Sequence, residues 1–133
     1  MEPRIPPRAY SIYADRESMK VLIVDDNAKV RSLLIDHLPA DADQVFECGD
    51  GVEAYALYKK FKPDWVLMDH EMPQMDGISA IKEIIADFPK ANICMVTAFG
   101  EDDLRSAAIS AGAVGFVVKE NLFELQTILA DRR

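Results

Sequence analysis

Lys20-Val21-Leu22-Ile23-Val24-Asp25-Asp26-Asn27 decides the fold: a short, continuous apolar run stops at three polar residues, two of them acidic. Unbroken hydrophobicity over so few residues predicts a strand buried on both faces, as in a parallel sheet, where a half-exposed strand would alternate. The abrupt stop places Asp25, Asp26 and Asn27 at the strand's carboxyl edge. Beyond them, Val30, Leu33, Leu34 and Leu38 recur at helical spacing, and Pro39 ends the helix. A strand followed by a helix is thus complete by residue 39.

The same unit recurs four more times without any repeat of sequence. A strand over Gln44 to Glu47 leads through Gly49-Asp50-Gly51, read as a turn, into a helix with Ala54, Leu57, Tyr58 and Phe61 on one face, which Pro63 ends. A third strand, Asp64 to Met68, meets Asp69. A loop containing Met72-Pro73 and Asp76-Gly77 then opens a helix carrying Ile78, Ile81, Ile85 and Phe88. The fourth strand, Asn92 to Val96, ends at Thr97, and Leu104, Ala107, Ala108 and Ala111 mark a helix stopped by Gly112. The fifth, Gly115 to Val118, ends at Lys119, and Leu122, Leu125 and Leu129 suggest a last helix. Five apolar strands alternating with five helices predict an α/β fold: a five-stranded parallel sheet in a three-layer αβα sandwich with right-handed crossovers.

Composition bounds the function. The 133 residues hold 15 Lys plus Arg against 23 Asp plus Glu, a net charge of −8, with 50% hydrophobic residues. That is enough chain for one domain with its own core. No apolar run approaches the ~18 residues of a membrane span. The acidic balance argues against direct binding of nucleic acid, which needs clustered cations. Cys48 and Cys94 lie far apart in apolar surroundings, with no C-x-x-C spacing and no signal peptide, and read as buried small hydrophobes in a reducing cytoplasm. His37 and His70 have no companions at zinc-site spacing. Residues 1–18, with Pro3, Pro6 and Pro7, form a proline-rich extension whose candidate anchors are Ile5, Tyr10, Ile12 and Tyr13. The domain proper is expected over 19–133.

The chemistry gathers at strand ends. Asp25, Asp26, Asp69, Thr97 and Lys119 each fall at the carboxyl end of a strand, and open α/β sheets bind ligands in the crevice at that edge. Three crowded carboxylates need compensation, and magnesium suits them: it takes oxygen ligands and is held by one or two carboxylates plus a phosphate. Such an ion, a hydroxyl from Thr97 and an ammonium from Lys119 could hold the oxygens of a transferring phosphoryl group, with the Asp69 carboxylate as nucleophile.

From Met19 to about Ala130 the chain resembles the receiver domain of two-component response regulators. The resemblance rests on Val21-Leu22-Ile23-Val24-Asp25-Asp26-Asn27, Asp50-Gly51, Val66-Leu67-Met68-Asp69, Met72-Pro73, Met75-Asp76-Gly77, Val96-Thr97-Ala98, Gly112-Ala113 and Val118-Lys119. It implies a flavodoxin-like, CheY-like fold with strand order 2-1-3-4-5. It also implies that Asp69 accepts a phosphoryl group from a histidine kinase or phosphotransfer protein. Asp26, Asp69 and the backbone carbonyl of Glu71 would ligate Mg2+, with Asp25 holding one of its waters. Thr97 and Lys119 would contact the phosphoryl oxygens, and Phe116 would be the aromatic switch, with small Ala98 beside it. Output would pass through the fourth helix, fifth strand and fifth helix, around Glu101 to Ala111 and Leu122 to Leu129, to a downstream protein, with homodimerisation a further option. Ala107, Ala108 and Ala111 are expected to be core.

Where many family members have proline after the lysine, Glu120 stands here, so a trans bond and an altered loop are expected. Lysine followed by an acidic residue resembles receivers of nitrate-response type, whose helix-turn-helix domain is not found in these residues; a single-domain regulator or an excised receiver is expected. Glu71 and Phe99, each two residues after a site residue, are expected to set the autodephosphorylation rate. The competing reading is a phosphorylation-independent adaptor. A flavodoxin-type carrier is disfavoured by the anionic Asp25-Asp26-Asn27 loop, and a haloacid-dehalogenase-like phosphatase by the absence of a D-x-D arrangement at Asp69-His70-Glu71.

Overall fold

The computed structural model describes residues 18–131. The proline-rich extension therefore lies, Ser18 excepted, outside the described residues, as do Ile5, Tyr10, Ile12 and Tyr13. The elements run β1 (Lys20–Val24), α1 (Ala28–Asp36), β2 (Gln44–Cys48), α2 (Gly51–Phe61), β3 (Trp65–Met68), α3 (Gly77–Asp87), β4 (Ile93–Thr97), α4 (Asp102–Ala111), β5 (Gly115–Val118) and α5 (Glu124–Ala130). A single 3-10 turn, Lys119–Asn121, precedes α5. All strand pairings are parallel, and the strand order is β2-β1-β3-β4-β5, as expected.

Alternate residues of the central strands feed two cores. Leu22, Val24, Val66, Met68, Ile93 and Met95 pack under α2, α3 and α4, together with Ala54, Ile81, Ile84 and Ala108. Val21, Ile23, Trp65, Leu67, Cys94 and Val96 pack under α1 and α5, with Leu34, Leu38, Leu125 and Leu129. This double burial explains why β1, β3 and β4 are apolar throughout. The edge strand β2 differs from that expectation: its Gln44 and Glu47 are exposed, because an edge strand lies at the margin of the helical layers on both faces of the sheet.

Side-chain caps open α1, α2 and α3. The Asn27 side chain accepts from the Lys29 and Val30 amides to open α1, Asp50 opens α2 through Val52, and Asp76 opens α3 through Ser79. Gly51, read as part of a turn, is the first residue of α2. Gly112 ends α4 at a φ of 121°, a conformation that only glycine adopts without strain.

Two residues expected on buried faces are exposed. Leu33 is 46% exposed while Leu34 and Leu38 are buried, and Ala107 is exposed while Ala108 and Ala111 are buried. Neighbouring helical residues point about 100° apart, so where Leu34 and Ala108 point into the core, Leu33 and Ala107 fall at the margin of the buried stripe.

Cys48 and Cys94 are buried and free, as expected. Burial pushes the Cys48 thiol up to about 11 and the Cys94 thiol up to about 12. The thiolate is the reactive form, so neither cysteine should react with iodoacetamide at pH 7.5 in the folded chain, and both should after unfolding in urea. Counting carbamidomethyl groups by intact mass checks this.

Candidate functional site

The parallel register brings the carboxyl ends of the strands to one edge. Val24 aligns with Cys48 on one side and Met68 on the other, and Thr97 aligns with Val118. The residues that follow are tied by the same ladder. The Asp25 amide donates to the Cys48 carbonyl at 3.1 Å, and the Asp69 amide donates to the Val24 carbonyl at 2.8 Å. Asp25, Asp69 and Thr97 are buried, Lys119 is half-buried at the start of the 3-10 turn, and Asp26 is exposed. Sequence reasoning placed Thr97 just past its strand; it is the last residue of β4.

Carboxylate oxygens of Asp25, Asp26 and Asp69 all lie within 4.8 Å of one another. The Lys119 ammonium bridges two of them, 2.9 Å from Asp25 Oδ2 and 3.1 Å from Asp69 Oδ1. Three carboxylates facing one ammonium leave an excess of negative charge. Burial, and then the Asp25 charge, push the Asp69 carboxyl above its ordinary value against the pull of Lys119. Burial alone would lower Lys119; its hydrogen bonds to Asp25 and Asp69 outweigh that and raise it. An all-oxygen donor set of this charge fits a hard divalent cation.

The surrounding groups fix these carboxylates. The Asn27 amide donates to Asp25 Oδ1 at 2.9 Å. Arg31 reaches from α1 to the Asp25 carbonyl at 2.7 Å, while its Nε pairs with Glu47 at 2.9 Å. Sequence reasoning missed Arg31. A helical arginine facing an acidic residue on the edge strand is the only signal available, and it is visible only once β2 is known to lie beside β1. The loop after Asp69 is pinched shut where the Gly77 amide donates to the His70 carbonyl at 2.7 Å.

The remaining expected residues lie around this cluster. Glu71 is exposed on that loop. Phe99 is 47% exposed, and its amide donates to Thr97 Oγ1 at 3.2 Å. Phe116 is buried, with the Arg105 guanidinium 4.6 Å from its ring centroid. Ala98 is exposed beside Phe99 and lines an open cleft with Val118, Glu120 and Asn121. No cis peptide occurs among the described residues, so the bond after Lys119 is trans, as expected.

The family profile described as response regulator receiver domain matches residues 21–130, a span that contains Asp25, Asp26, Asp69, Thr97 and Lys119. The chain belongs to the response regulator receiver domain family. Over 101 residues this receiver is 46% identical to the chemotaxis protein CheY of Thermotoga maritima, covering 75% of this chain and 84% of that protein. It superposes with a TM-score of 0.78 on the signal receiver domain of a putative NarL response regulator from Mycobacterium tuberculosis, at 27% identity and covering 86% and 95% of the two chains. A CheY of Borrelia burgdorferi, solved in a complex with CheX, BeF3 and magnesium, matches with a TM-score of 0.74 at 30% identity, covering 80% and 81%. Receiver domains are phosphoacceptor signalling modules and not metabolic enzymes. Among the described residues no helix is long and apolar enough to cross a membrane.

Proposed function

We propose that this receiver is a phosphoryl-accepting switch of a two-component phosphorelay, with Asp69 as acceptor. The observation that carries the reading is the buried Asp69 carboxylate, held 3.1 Å from the Lys119 ammonium and beside the carboxylates of Asp25 and Asp26. An Asp69 oxygen attacks the phosphorus of a phosphohistidine on a kinase or phosphotransfer protein. The new O–P bond forms as the N–P bond breaks, and the histidine leaves with its electron pair. Lys119 remains paired to the developing charge, and the Thr97 hydroxyl turns to a phosphoryl oxygen. Asp26, Asp69 and the Glu71 carbonyl would hold Mg2+, with Asp25 binding one of its waters. Bound there, the ion would offset repulsion between the carboxylates and the incoming phosphoryl group.

Movement of Thr97 would pass to Phe116 and on to the face of α4, β5 and α5, where Ile109 and Phe123 are exposed for a downstream protein or a second copy of the chain. Glu71, two residues after Asp69, and Phe99, two after Thr97, are both exposed and would set the lifetime of the phosphoryl group by influencing the attacking water. This acidic chain is assigned no direct contact with nucleic acid, and a cytoplasmic setting is proposed with its kinase.

Intact mass tests the reading. The wild type and Asp69→Asn are incubated with acetyl phosphate or phosphoramidate, with Mg2+ or with EDTA. A gain of about 80 Da, one phosphoryl group, is expected only for the wild type with Mg2+. No gain in a folded wild type that still binds Mg2+ would favour the phosphorylation-independent adaptor.

A further inference from the structure

Asp50 stands outside the acceptor cluster, at the start of α2, yet its carboxylate serves the loop that follows Asp69. It is 7% exposed. Its Oδ2 accepts from the Gln74 amide at 2.8 Å, and its Oδ1 accepts from the amides of Met75 at 3.0 Å and Val52 at 3.1 Å. The Val52 bond is an ordinary helix cap. The other two reach across 24 and 25 residues to a separate loop. Together the backbone amides outweigh burial and hold the Asp50 carboxyl below its ordinary value. Next to it, a Cβ on Gly51 would lie 2.6 Å from the Met75 carbonyl oxygen, so the first turn of α2 lies directly against this loop.

The loop between Asp69 and α3 is therefore fastened twice: at its base by the Gly77 amide on the His70 carbonyl, and near its far end by Asp50 on Gln74 and Met75. The short stretch Glu71 to Pro73 hangs between the two fastenings. We propose that Asp50 is a positioning residue for the metal site, holding this loop so that the Glu71 carbonyl faces the Asp25–Asp26–Asp69 cluster. The proposal rests on the function proposed above and adds to it a residue that touches neither metal nor phosphoryl group. A charged acceptor suits the task, because one carboxylate can take several amides that a neutral side chain of the same size cannot.

Asp50→Ser separates the two roles of this side chain. A serine hydroxyl still caps α2 through Val52, but it is too short to reach Gln74 and Met75. The wild type, Asp50→Ser and Asp50→Ala are compared with Met19→Ala, a buried residue beside the opposite end of β1. Three quantities are read: amide hydrogen exchange at Gln74 and Met75 without metal, the Mg2+ dissociation constant by calorimetry, and phosphoryl uptake against Mg2+ concentration. For Asp50→Ser and Asp50→Ala the two amides should exchange faster, and Mg2+ should bind about tenfold more weakly, the usual size of effect for a group that orients a metal ligand. The half-saturating Mg2+ concentration should rise in step, and the uptake rate at saturating Mg2+ should stay near wild type. Met19→Ala should lose stability with no change in Mg2+ affinity. Wild-type Mg2+ affinity in a folded Asp50→Ser, or a loss no greater than that of Met19→Ala, overturns the proposal and leaves the function proposed above intact. A wild type that neither binds Mg2+ nor takes up phosphoryl overturns both.

Discussion

Exchanging Gly77 for alanine is expected to slow phosphoryl uptake by about a hundredfold and to cost roughly 1–3 kcal/mol of stability. The reason is space. A Cβ at Gly77 would lie 2.0 Å from the Asp69 carbonyl oxygen, 3.0 Å from its carbonyl carbon and 3.1 Å from the His70 Cα. All three are backbone atoms, so no side chain can swing aside to make room. Either α3 retreats, opening the bond from the Gly77 amide to the His70 carbonyl, or the end of β3 shifts and carries the Asp69 carboxylate with it. Both responses move the Asp69 carboxylate relative to Lys119. A displacement of about 1 Å is enough to cost two orders of magnitude in a reaction that depends on positioning. Gly49→Ala is the matched control at the same edge of the sheet. Its added Cβ would come no closer than 3.8 Å to Asp26, an ordinary contact, and it should behave as wild type. Urea unfolding and the rate of mass gain from acetyl phosphate check both variants. A wild-type rate in Gly77→Ala would show that the loop closure does not position Asp69.

What the sequence makes legible here is what a single segment can signal. Val21 to Val24, Val66 to Met68 and Cys94 to Val96 read as buried strands because both their faces are covered, and each run ends at a polar residue, Asp25, Asp69 or Thr97. The four strand ends that build the site are therefore visible from local pattern and architecture. Groups whose role depends on a partner far along the chain are not. Arg31 matters because β2 lies beside β1 and brings Glu47 within reach, and Asp50 matters because α2 starts against the loop at Gln74 and Met75. Gly77 looks like a common turn residue until the Asp69 carbonyl is found where its side chain would be. Periodicity likewise marks α1 and α4 as amphipathic without fixing the edges of their apolar stripes, so the exposure of Leu33 and Ala107 is not legible in it.

The exchange Lys119→Met should reduce phosphoryl uptake by roughly 10²–10³-fold, the usual cost of removing a preorganised donor from developing charge. Its effect on the resting fold has a separate cause. The ammonium is bound at 2.9 and 3.1 Å to two carboxylates, one of which, on Asp25, is only 1% exposed. Without it both carboxylates remain buried beside Asp26 with no ammonium between them, and breaking a buried pair by removing one partner costs about 3–5 kcal/mol. Replacing the whole pair by apolar groups would cost less, since the loss comes from the partners left behind. The Asp69 carboxyl, already raised, should rise further once the pull of Lys119 is gone, and the protonated form is the poorer nucleophile. The sign of the pH dependence follows from the raised pKa of Lys119. Its stabilisation is complete below the ordinary lysine value of about 10.4 and is lost above the folded-state value, so the gap between wild type and variant should persist through neutral pH and close in strong alkali. Mg2+ should narrow the gap at pH 7, because the ion neutralises the stranded carboxylates and no ammonium competes with it. Lys20→Met tests whether any lost ammonium would do the same. Lys20 Nζ is hydrogen-bonded to the Phe61 carbonyl at the other end of the sheet, so its removal should leave both the uptake rate and the response to Mg2+ unchanged. Equal Mg2+ responses in the two variants would mean that Lys119 does not balance the charge of Asp25, Asp26 and Asp69.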